Sequence, residues 1–155
     1  MTSIYLLSGE RVLLLYRIGS RIADQLYTGS AGGHFELDEV NDARACVLRE
    51  MNEELGLTED DIEQLALRYV TFRLKNGEIR QNYYFFADLK DPSVGLKSTE
   101  GILRWFDWGS ALNCEMPYTA KYVCEHFCRE GRYTDKLYGG IATEAGVAFT
   151  VIDEF

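Results

Sequence analysis

The sequence has 155 residues, of which 46% are hydrophobic and 26% charged, and its formal net charge is −9. This length suits one domain that can bury a core without disulfide or metal cross-links. The acidic balance argues against a protein that coats nucleic acid, because phosphate backbones require a basic surface, but it allows a small phosphorylated substrate that a bound divalent cation brings to an acidic site.

Neither a membrane-spanning helix nor a targeting signal is evident. No segment approaches the ~20 consecutive apolar residues that cross a membrane. The N-terminal stretch lacks the basic start and the small-residue cleavage site of a signal peptide. We therefore predict a single cytoplasmic domain over residues 1–155, either a monomer or a homodimer, that binds neither membrane nor nucleic acid.

The cysteine content is consistent with the predicted cytoplasmic location. Four cysteines are present: Cys46, Cys114, Cys124 and Cys128. In a cytosolic chain, free thiols are the expected state. The stretch "CEHFC" (residues 124–128) also admits a zinc site. However, its candidate ligands point in different directions on a helix and no fourth ligand is evident, which favours ordinary helix packing.

The first third of the chain predicts a hairpin, a loop and a helix. "SIYLL" and "RVLLLYR" are short β-favouring runs separated by "SGE", a pattern typical of an antiparallel hairpin. Residues 18–33 carry four glycines and indicate mainly loop. From Asp42 to Leu55 there is neither Gly nor Pro, which predicts a helix. Asn41 is its candidate N-cap and Gly56 its candidate left-handed C-cap.

The remainder predicts more strands and a late helix. "TEDDIEQL" indicates a capped helical turn. "LALRYVTFRL" and "IRQNYYFFADL" flank "KNGE", whose Asn-Gly pair is a strong hairpin signal. "ILRWFDW" and "GVAFTVIDEF" are further strand candidates, and a helix is expected from Pro117 to Gly131. This order of elements predicts an α+β fold with a mixed sheet.

The predicted helix 42–55 concentrates negative charge on one face. At ~100° per residue, Glu50, Glu53 and Glu54 fall together, beside an apolar face. Carboxylates at positions i, i+3 and i+4 can converge on a hard divalent cation such as Mg²⁺, although a solvated helix face is the more usual meaning of such a cluster. Small residues on the acidic face, Ala43 and Cys46, would let the Gly32-Gly33 turn approach closely.

The stretch "REMNEELGL" (residues 49–57) carries a family resemblance. It resembles the MutT-like Nudix hydrolase family, whose core motif is Arg-Glu-apolar-x-Glu-Glu-x-Gly-apolar, and it matches every specified position. Upstream, Gly33 and Glu39 match the glycine and the glutamate of the same motif. Nine residues separate Glu39 from Arg49, two more than is usual in the family. We expect a longer loop before the helix, a departure that affects Glu39 more than the helix glutamates.

The resemblance implies a Nudix α/β/α sandwich and hydrolysis of a nucleoside diphosphate linked to another group, with Mg²⁺ or Mn²⁺ as cofactor. Such chemistry needs charge neutralisation on the phosphate oxygens and a positioned, deprotonated water. By motif position, Glu50 and Glu54 would be the principal metal ligands, and Glu53 an additional or water-mediated ligand. Arg49 would orient a carboxylate, with Glu39 as the candidate, although a plain surface pair with Glu53 is the alternative.

Further site residues follow from the same resemblance. The backbone carbonyl of Gly33 or Gly32 would complete the metal shell, and the general base is left open among Glu53, Glu100 and Glu39. Glu100, just before "ILRWFDW", could instead be a late metal ligand or a solvated turn residue. The candidates for substrate binding are Arg17, Arg21, Gly32 and His34. Arg17 and Arg21 are candidates to hold phosphates, and for Arg17 a plain surface role is the alternative.

The leading functional hypothesis is a pyrophosphohydrolase that removes oxidised nucleoside triphosphates, of the 8-oxo-dGTP kind, from the nucleotide pool. One alternative is hydrolysis of ADP-ribose or a nucleotide sugar, and another is a non-catalytic Nudix module that binds a nucleotide as a regulator. Retention of Arg49 and all three helix glutamates favours catalysis, because a binding-only site does not need the full metal cluster. Which base is recognised does not follow from the sequence.

Overall fold

Eight strands form one sheet in the computed structural model, which describes residues 1–19 and 23–154. The strands are β1 (Thr2–Ser8), β2 (Arg11–Arg17), β3 (Tyr27–Thr28), β4 (Ile62–Lys75), β5 (Glu78–Leu89), β6 (Gly101–Asp107), β7 (Leu137–Thr143) and β8 (Gly146–Ile152). The helices are α1 (Ala43–Leu55), α2 (Trp108–Ala111) and α3 (Tyr118–Arg129). None of the described helices is long and apolar enough to cross a membrane.

The sheet is mixed, with helices on both faces. Its strand order is β3-β2-β1-β5-β4-β7-β8, and β6 lies along the other edge of β2. The pairs β1–β5 and β4–β7 are parallel, whereas the remaining pairs are antiparallel. Helix α1 packs its buried Val47 and Met51 on one face, and α3 packs Val123 and Phe127 on the other. The predicted α+β class and α/β/α sandwich are therefore confirmed.

Helix α1 has the predicted extent but a different first cap. The side chain of Asp42 accepts a hydrogen bond from the Ala45 N–H, so Asp42 is the N-cap. The prediction of Asn41 is wrong, because Asn41 adopts a left-handed conformation (φ 73°) in the turn before the helix. Gly56 ends the helix with φ 69° and donates its N–H to the Asn52 carbonyl, which confirms the predicted left-handed C-cap.

The later elements follow their turn chemistry, but α2 and β7 are absent from the sequence prediction, which places Trp108 in a strand. Asn76 and Gly77 both have positive φ between β4 and β5, which is the hairpin predicted from "NG". The helical turn after Thr58 is only Glu59–Asp61, and "IEQL" already belongs to β4. Strand β7 is absent from the sequence prediction because Gly139-Gly140 weakens its strand pattern. Its parallel pairing with β4 is a long-range contact.

The "CEHFC" stretch packs in the core and shows no sign of a zinc site. All four cysteines are free, and Cys124 is buried against the sheet. The His126 ring shares a hydrogen bond with the Tyr69 hydroxyl (Nδ1 to oxygen, 2.9 Å). No group of three or more His, Cys, Asp or Glu side chains in the described part of the chain is arranged to hold a metal ion.

The C-terminal strand pairs with the chain's own sheet. The sequence leaves open whether residues 146–155 add to this sheet or to a partner's edge. In the structure β8 runs antiparallel to β7 over its whole length. Its Phe149 packs against Tyr69 and His126, with ring centroids 5.4 and 4.6 Å apart.

We expect Phe149→Ala to destabilise the fold by about 2 kcal/mol. Truncating a fully buried Phe costs ~3–5 kcal/mol, and Phe149 is only partly buried. For a chain of this size, that loss lowers the melting temperature by roughly 4–8 °C. Deleting residues 146–155 should lower it further, whereas Thr150→Ala, an exposed neighbour, serves as the control. Unchanged melting and sedimentation after the deletion would show that the segment is dispensable.

Candidate active site

A segment of three residues, 31–33, passes directly against the acidic face of α1. We call it the glycine segment. Strand β1 bonds to this segment through Thr2 N–H to the Gly33 carbonyl (2.8 Å) and Ile4 N–H to the Ala31 carbonyl (2.9 Å). A Cβ at Gly33 would overlap the Glu50 carboxylate, and a Cβ at Gly32 would overlap the Thr2 carbonyl. Glycine at position 33 therefore allows the backbone to lie this close to the helix, and glycine at position 32 allows it to lie this close to β1. The predicted close approach of the Gly-Gly turn is confirmed.

Arg49 joins the acidic residues into one network. Its Nε and Nη2 donate to the two carboxylate oxygens of Glu39, at 2.6 and 2.9 Å. Its Nη1 donates to Glu50 (3.0 Å) and Glu53 (2.9 Å), and Nη2 also donates to the His34 carbonyl (3.0 Å). A planar guanidinium in such a bidentate pair fixes orientation as well as charge. The contacts of Arg49 therefore extend well beyond a plain surface pair with Glu53, which was the alternative prediction.

Glu39 keeps its bond to Arg49 despite the two extra residues. It ends a short 3₁₀ turn, Leu37–Glu39, and residues 40–42 take up the additional length before α1. The Glu36 N–H also donates to Glu39, at 3.0 Å. These hydrogen bonds, chiefly those from Arg49, lower the pKa of Glu39 to about 2. A carboxylate held this strongly in its ionised form is a poor proton acceptor near neutral pH, which makes Glu39 the weakest of the three base candidates.

Glu54 lies in a less polar position beside the glycine segment. Its Oε2 accepts a hydrogen bond from the Gly32 N–H at 3.0 Å. Its pKa is raised from 4.5 to about 7, chiefly by burial and also by the nearby carboxylates of Glu50 and Glu100, whereas Gly32 and Arg17 oppose the shift. The positive charge near this carboxyl does not offset the effect of burial on its pKa. A divalent cation would supply that charge and keep Glu54 ionised.

The pairing of β2 with β6 brings Glu100 to the site. Arg17 and Gly101 are direct partners in this antiparallel pair, so Glu100 lies beside Arg17 although 83 positions separate them. Arg17 Nη2 donates to Glu100 Oε2 at 2.5 Å. Among the described residues, no atom accepts a hydrogen bond from the buried Arg17 Nε. A buried donor without a partner is uncommon and is suited to a phosphate oxygen.

Gly33, His34 and Arg21 are the remaining site residues predicted from the sequence. The Gly33 carbonyl accepts from Thr2 N–H, which leaves one lone pair for a ligand. The His34 backbone carbonyl accepts from Arg49, and His34 also lines the adjoining cleft. Arg21 lies outside the described residues.

Comparison with known proteins identifies the family. A family model described as the NUDIX domain matches residues 2–125. The chain belongs to the Nudix family. A search of curated proteins finds no match. The resemblance stated from "REMNEELGL" is confirmed, and so is the prediction of a Nudix pyrophosphohydrolase at the level of the family.

Solved structures agree with this fold. A MutT protein from Bacillus halodurans is 21% identical, with 97% of this chain and 95% of that chain covered, at a TM-score of 0.66. A Nudix hydrolase from Nitrosomonas europaea is 18% identical, with coverages of 91% and 76% and a TM-score of 0.71. An Ap4A hydrolase from C. elegans is 19% identical, with coverages of 83% and 92% and a TM-score of 0.64. At these identities the likeness shows the fold and not the substrate.

The Nudix helix offers donors that fit a divalent cation, the cofactor class that the family generally uses. Glu50 is nearly buried, with 13% of its side chain exposed, and lies against Gly33 in a space that a Cβ would fill. Glu53 is 56% exposed and turned toward Arg49. Mg²⁺ typically takes one or two carboxylates and completes its octahedron with water and substrate phosphate. Glu50 and Glu54 match that requirement.

A cleft begins at the glycine segment and runs across the face of the sheet opposite to α1. Its volume is about 340 Å³, and Arg17, Gly32 and Gly33 line one end. Tyr5 and Tyr84 form part of the floor. The far end lies at the tip of the β4–β5 hairpin, whose lining residues do not appear among the sequence-predicted site residues. Alternating cations around "KNGE" are the signal that could have revealed them.

Proposed function

We propose that this Nudix protein is a metal-dependent pyrophosphohydrolase acting on a nucleoside diphosphate linked to another group, with Mg²⁺ or Mn²⁺ bound by Glu50 and Glu54. The observation that carries the proposal is the position of these two carboxylates against the glycine segment, at one end of the cleft. A bound cation would supply charge neutralisation on the phosphate oxygens and make its water more acidic.

The remaining roles are assigned from contacts. Arg49 orients Glu50 and Glu53 through its two Nη1 hydrogen bonds. The free Nε of Arg17 donates to a phosphate oxygen of the substrate. Either Glu53 or Glu100 accepts the proton of the attacking water, since each is partly exposed and keeps one carboxylate oxygen that accepts no hydrogen bond from the described residues.

The substrate hypothesis that the sequence favours is an oxidised nucleoside triphosphate. One structural neighbour is a MutT protein and another an Ap4A hydrolase, and their low identity leaves the choice to experiment. ADP-ribose and nucleotide sugars are the alternative substrates, and nucleotide binding without turnover is the alternative function. The complete Arg49, Glu50, Glu53 and Glu54 set supports turnover.

A product-release screen tests the proposed function. We expect hydrolysis of at least one compound in a panel of oxidised and ordinary dNTPs, dinucleoside polyphosphates, ADP-ribose and nucleotide sugars. Activity should require Mg²⁺ or Mn²⁺, because the phosphate charge is otherwise uncompensated. The exposed Glu63, outside the site, supplies the matched control Glu63→Gln for every glutamate variant. Nucleotide binding without any hydrolysis would contradict the proposal and favour a regulatory module.

We further propose that residues 1–155 act as one cytoplasmic domain, as a monomer or a homodimer. All four cysteines are free thiols, which suits a reducing compartment. All eight described strands belong to one sheet. Sedimentation of the purified chain measures its oligomeric state.

A further inference from the structure

Three cations meet at the far end of the cleft. Arg73 and Lys75 lie on β4, Arg80 lies on β5, and all three line the cleft. Arg73 and Arg80 are direct partners in the antiparallel pair. Lys75 is two residues from Arg73 and therefore points to the same face of the sheet. We call these three residues the cationic lip.

The Arg73 and Arg80 pair of the cationic lip opposes stability in the free protein. Like charges directly opposite each other on neighbouring strands are destabilising. No carboxylate in the described part of the chain forms an ion pair with any of the three, although the net charge is −9. Lys75 lies opposite the exposed Glu78, a favourable cross-strand pair, although Glu78 does not line the cleft. Fold stability therefore does not account for the pair Arg73 and Arg80.

One of the three cations is held in place. The Arg73 guanidinium lies over the Tyr118 ring, 4.9 Å from its centroid. Such a contact attracts the cation electrostatically without neutralising its charge. The Tyr118 ring is itself anchored, because its hydroxyl donates to the Thr143 carbonyl at 2.5 Å. Arg73 is thus positioned as a donor toward the cleft and retains its full charge for an anion.

The cationic lip lies across the sheet from the place proposed for the scissile pyrophosphate. From the glycine segment to β4 there are three strand-to-strand steps, through β1 and β5, which amount to roughly 14 Å across the sheet. This span is measured between backbones, and Lys and Arg side chains cover part of it. A group that lies beyond a pyrophosphate held at Glu50 and Glu54 is therefore nearer to the lip than the pyrophosphate itself. The anion that the lip receives is therefore a different part of the substrate.

We propose that the cationic lip binds a further phosphate group of the substrate, one that lies beyond the scissile pyrophosphate. This inference rests on the proposed function, because it places the scissile group at Glu50 and Glu54. It favours a substrate with phosphate at both ends of the cleft over a simple dNTP, whose base would face three unpaired cations. The phosphate has two possible sources: the distal part of a long polyphosphate chain, or a phosphate ester on the linked group.

Matched compounds distinguish these sources. Diadenosine tetraphosphate and diadenosine diphosphate differ in chain length, whereas coenzyme A and dephospho-coenzyme A differ in one phosphate ester. For at least one pair, we expect kcat/KM of the more phosphorylated compound to exceed that of its partner by about 10- to 100-fold, the range for one or two charge-assisted hydrogen bonds. The preference should lie mainly in KM and weaken with added salt.

Two double variants with equal charge changes test the residues. Lys75→Gln/Arg80→Gln removes one Lys and one Arg from the lip, and both are exposed, so the fold should survive. Arg104→Gln/Lys136→Gln removes one Arg and one Lys from exposed positions outside the cleft. We expect only the lip variant to lose the preference. Its melting temperature should stay close to that of the wild type, because the loss of the like-charge pair Arg73 and Arg80 offsets the loss of the opposite-charge pair Lys75 and Glu78.

A binding measurement separates this inference from the proposed function. In EDTA, where turnover is absent, the more phosphorylated member of the preferred pair should raise the melting temperature more than its partner does. The lip variant should lose that difference and the control variant should keep it. Equal shifts for both members of each pair, or equal behaviour of the two variants, would overturn the inference. Failure of hydrolysis in the screen would overturn the proposed function alone.

Discussion

Replacing Glu54 with glutamine is expected to abolish most turnover while the fold survives. Glutamine keeps the size of the side chain but removes the charge that would hold the cation beside Glu50. Loss of metal assistance worth several kcal/mol corresponds to at least ~10²-fold in kcat. Steady-state assays across a Mg²⁺ titration measure this effect, with Glu63→Gln as the control. A wild-type rate for Glu54→Gln at saturating Mg²⁺ would refute the ligand assignment.

The same variant is expected to gain stability without metal, in a pH-dependent manner. Burial raises the pKa of Glu54 from 4.5 to about 7, so the folded state binds this proton more tightly than the unfolded state. Stability from this group is therefore greatest below pH ~4.5 and is lost as pH rises toward 7. Glu54→Gln should match the wild type near pH 4 and melt at a higher temperature at pH 8 in EDTA. An identical pH profile for both proteins would contradict the raised pKa of the half-buried Glu54.

Replacing Glu100 with glutamine is expected to lower kcat at least ~10²-fold if Glu100 is the general base, with little change in the Mg²⁺ requirement. If Glu100 is a metal ligand, the required Mg²⁺ concentration should rise as well. Its 41% exposure and its loop position before β6 suit either role, since loop side chains can turn toward a substrate. A variant with normal kcat and normal Mg²⁺ dependence would remove Glu100 from the site and leave Glu53 as the base candidate.

The ion pair with Arg17 offers a third role for Glu100. Glu100 could act only by positioning the Arg17 guanidinium, which it contacts at 2.5 Å. A double-mutant cycle separates the cases: Arg17→Gln and Glu100→Gln should then have non-additive effects on kcat/KM. Additive effects would show that Glu100 acts independently of Arg17.

The local sequence alone determined most features of helix α1, which carries the candidate metal ligands. The helix 42–55, its glycine C-cap and the shared face of Glu50 and Glu54 follow from periodicity and cap chemistry over a few neighbouring positions. The β4–β5 hairpin follows from Asn76-Gly77 in the same way. Such features depend on contacts between near neighbours, which is why a single sequence is sufficient to predict them.

Tertiary structure decided which distant residues complete the site. The register of β2 against β6 places Glu100 on Arg17, and no local pattern specifies a register between strands so far apart. Glu39 accepts hydrogen bonds from Arg49 because the turn before α1 accommodates the two residues that are additional to the usual family spacing. The cationic lip exists because the β4–β5 hairpin turns its cations toward the cleft. Each of these contacts depends on how separate elements pack, a property of the assembled sheet and not of any one segment.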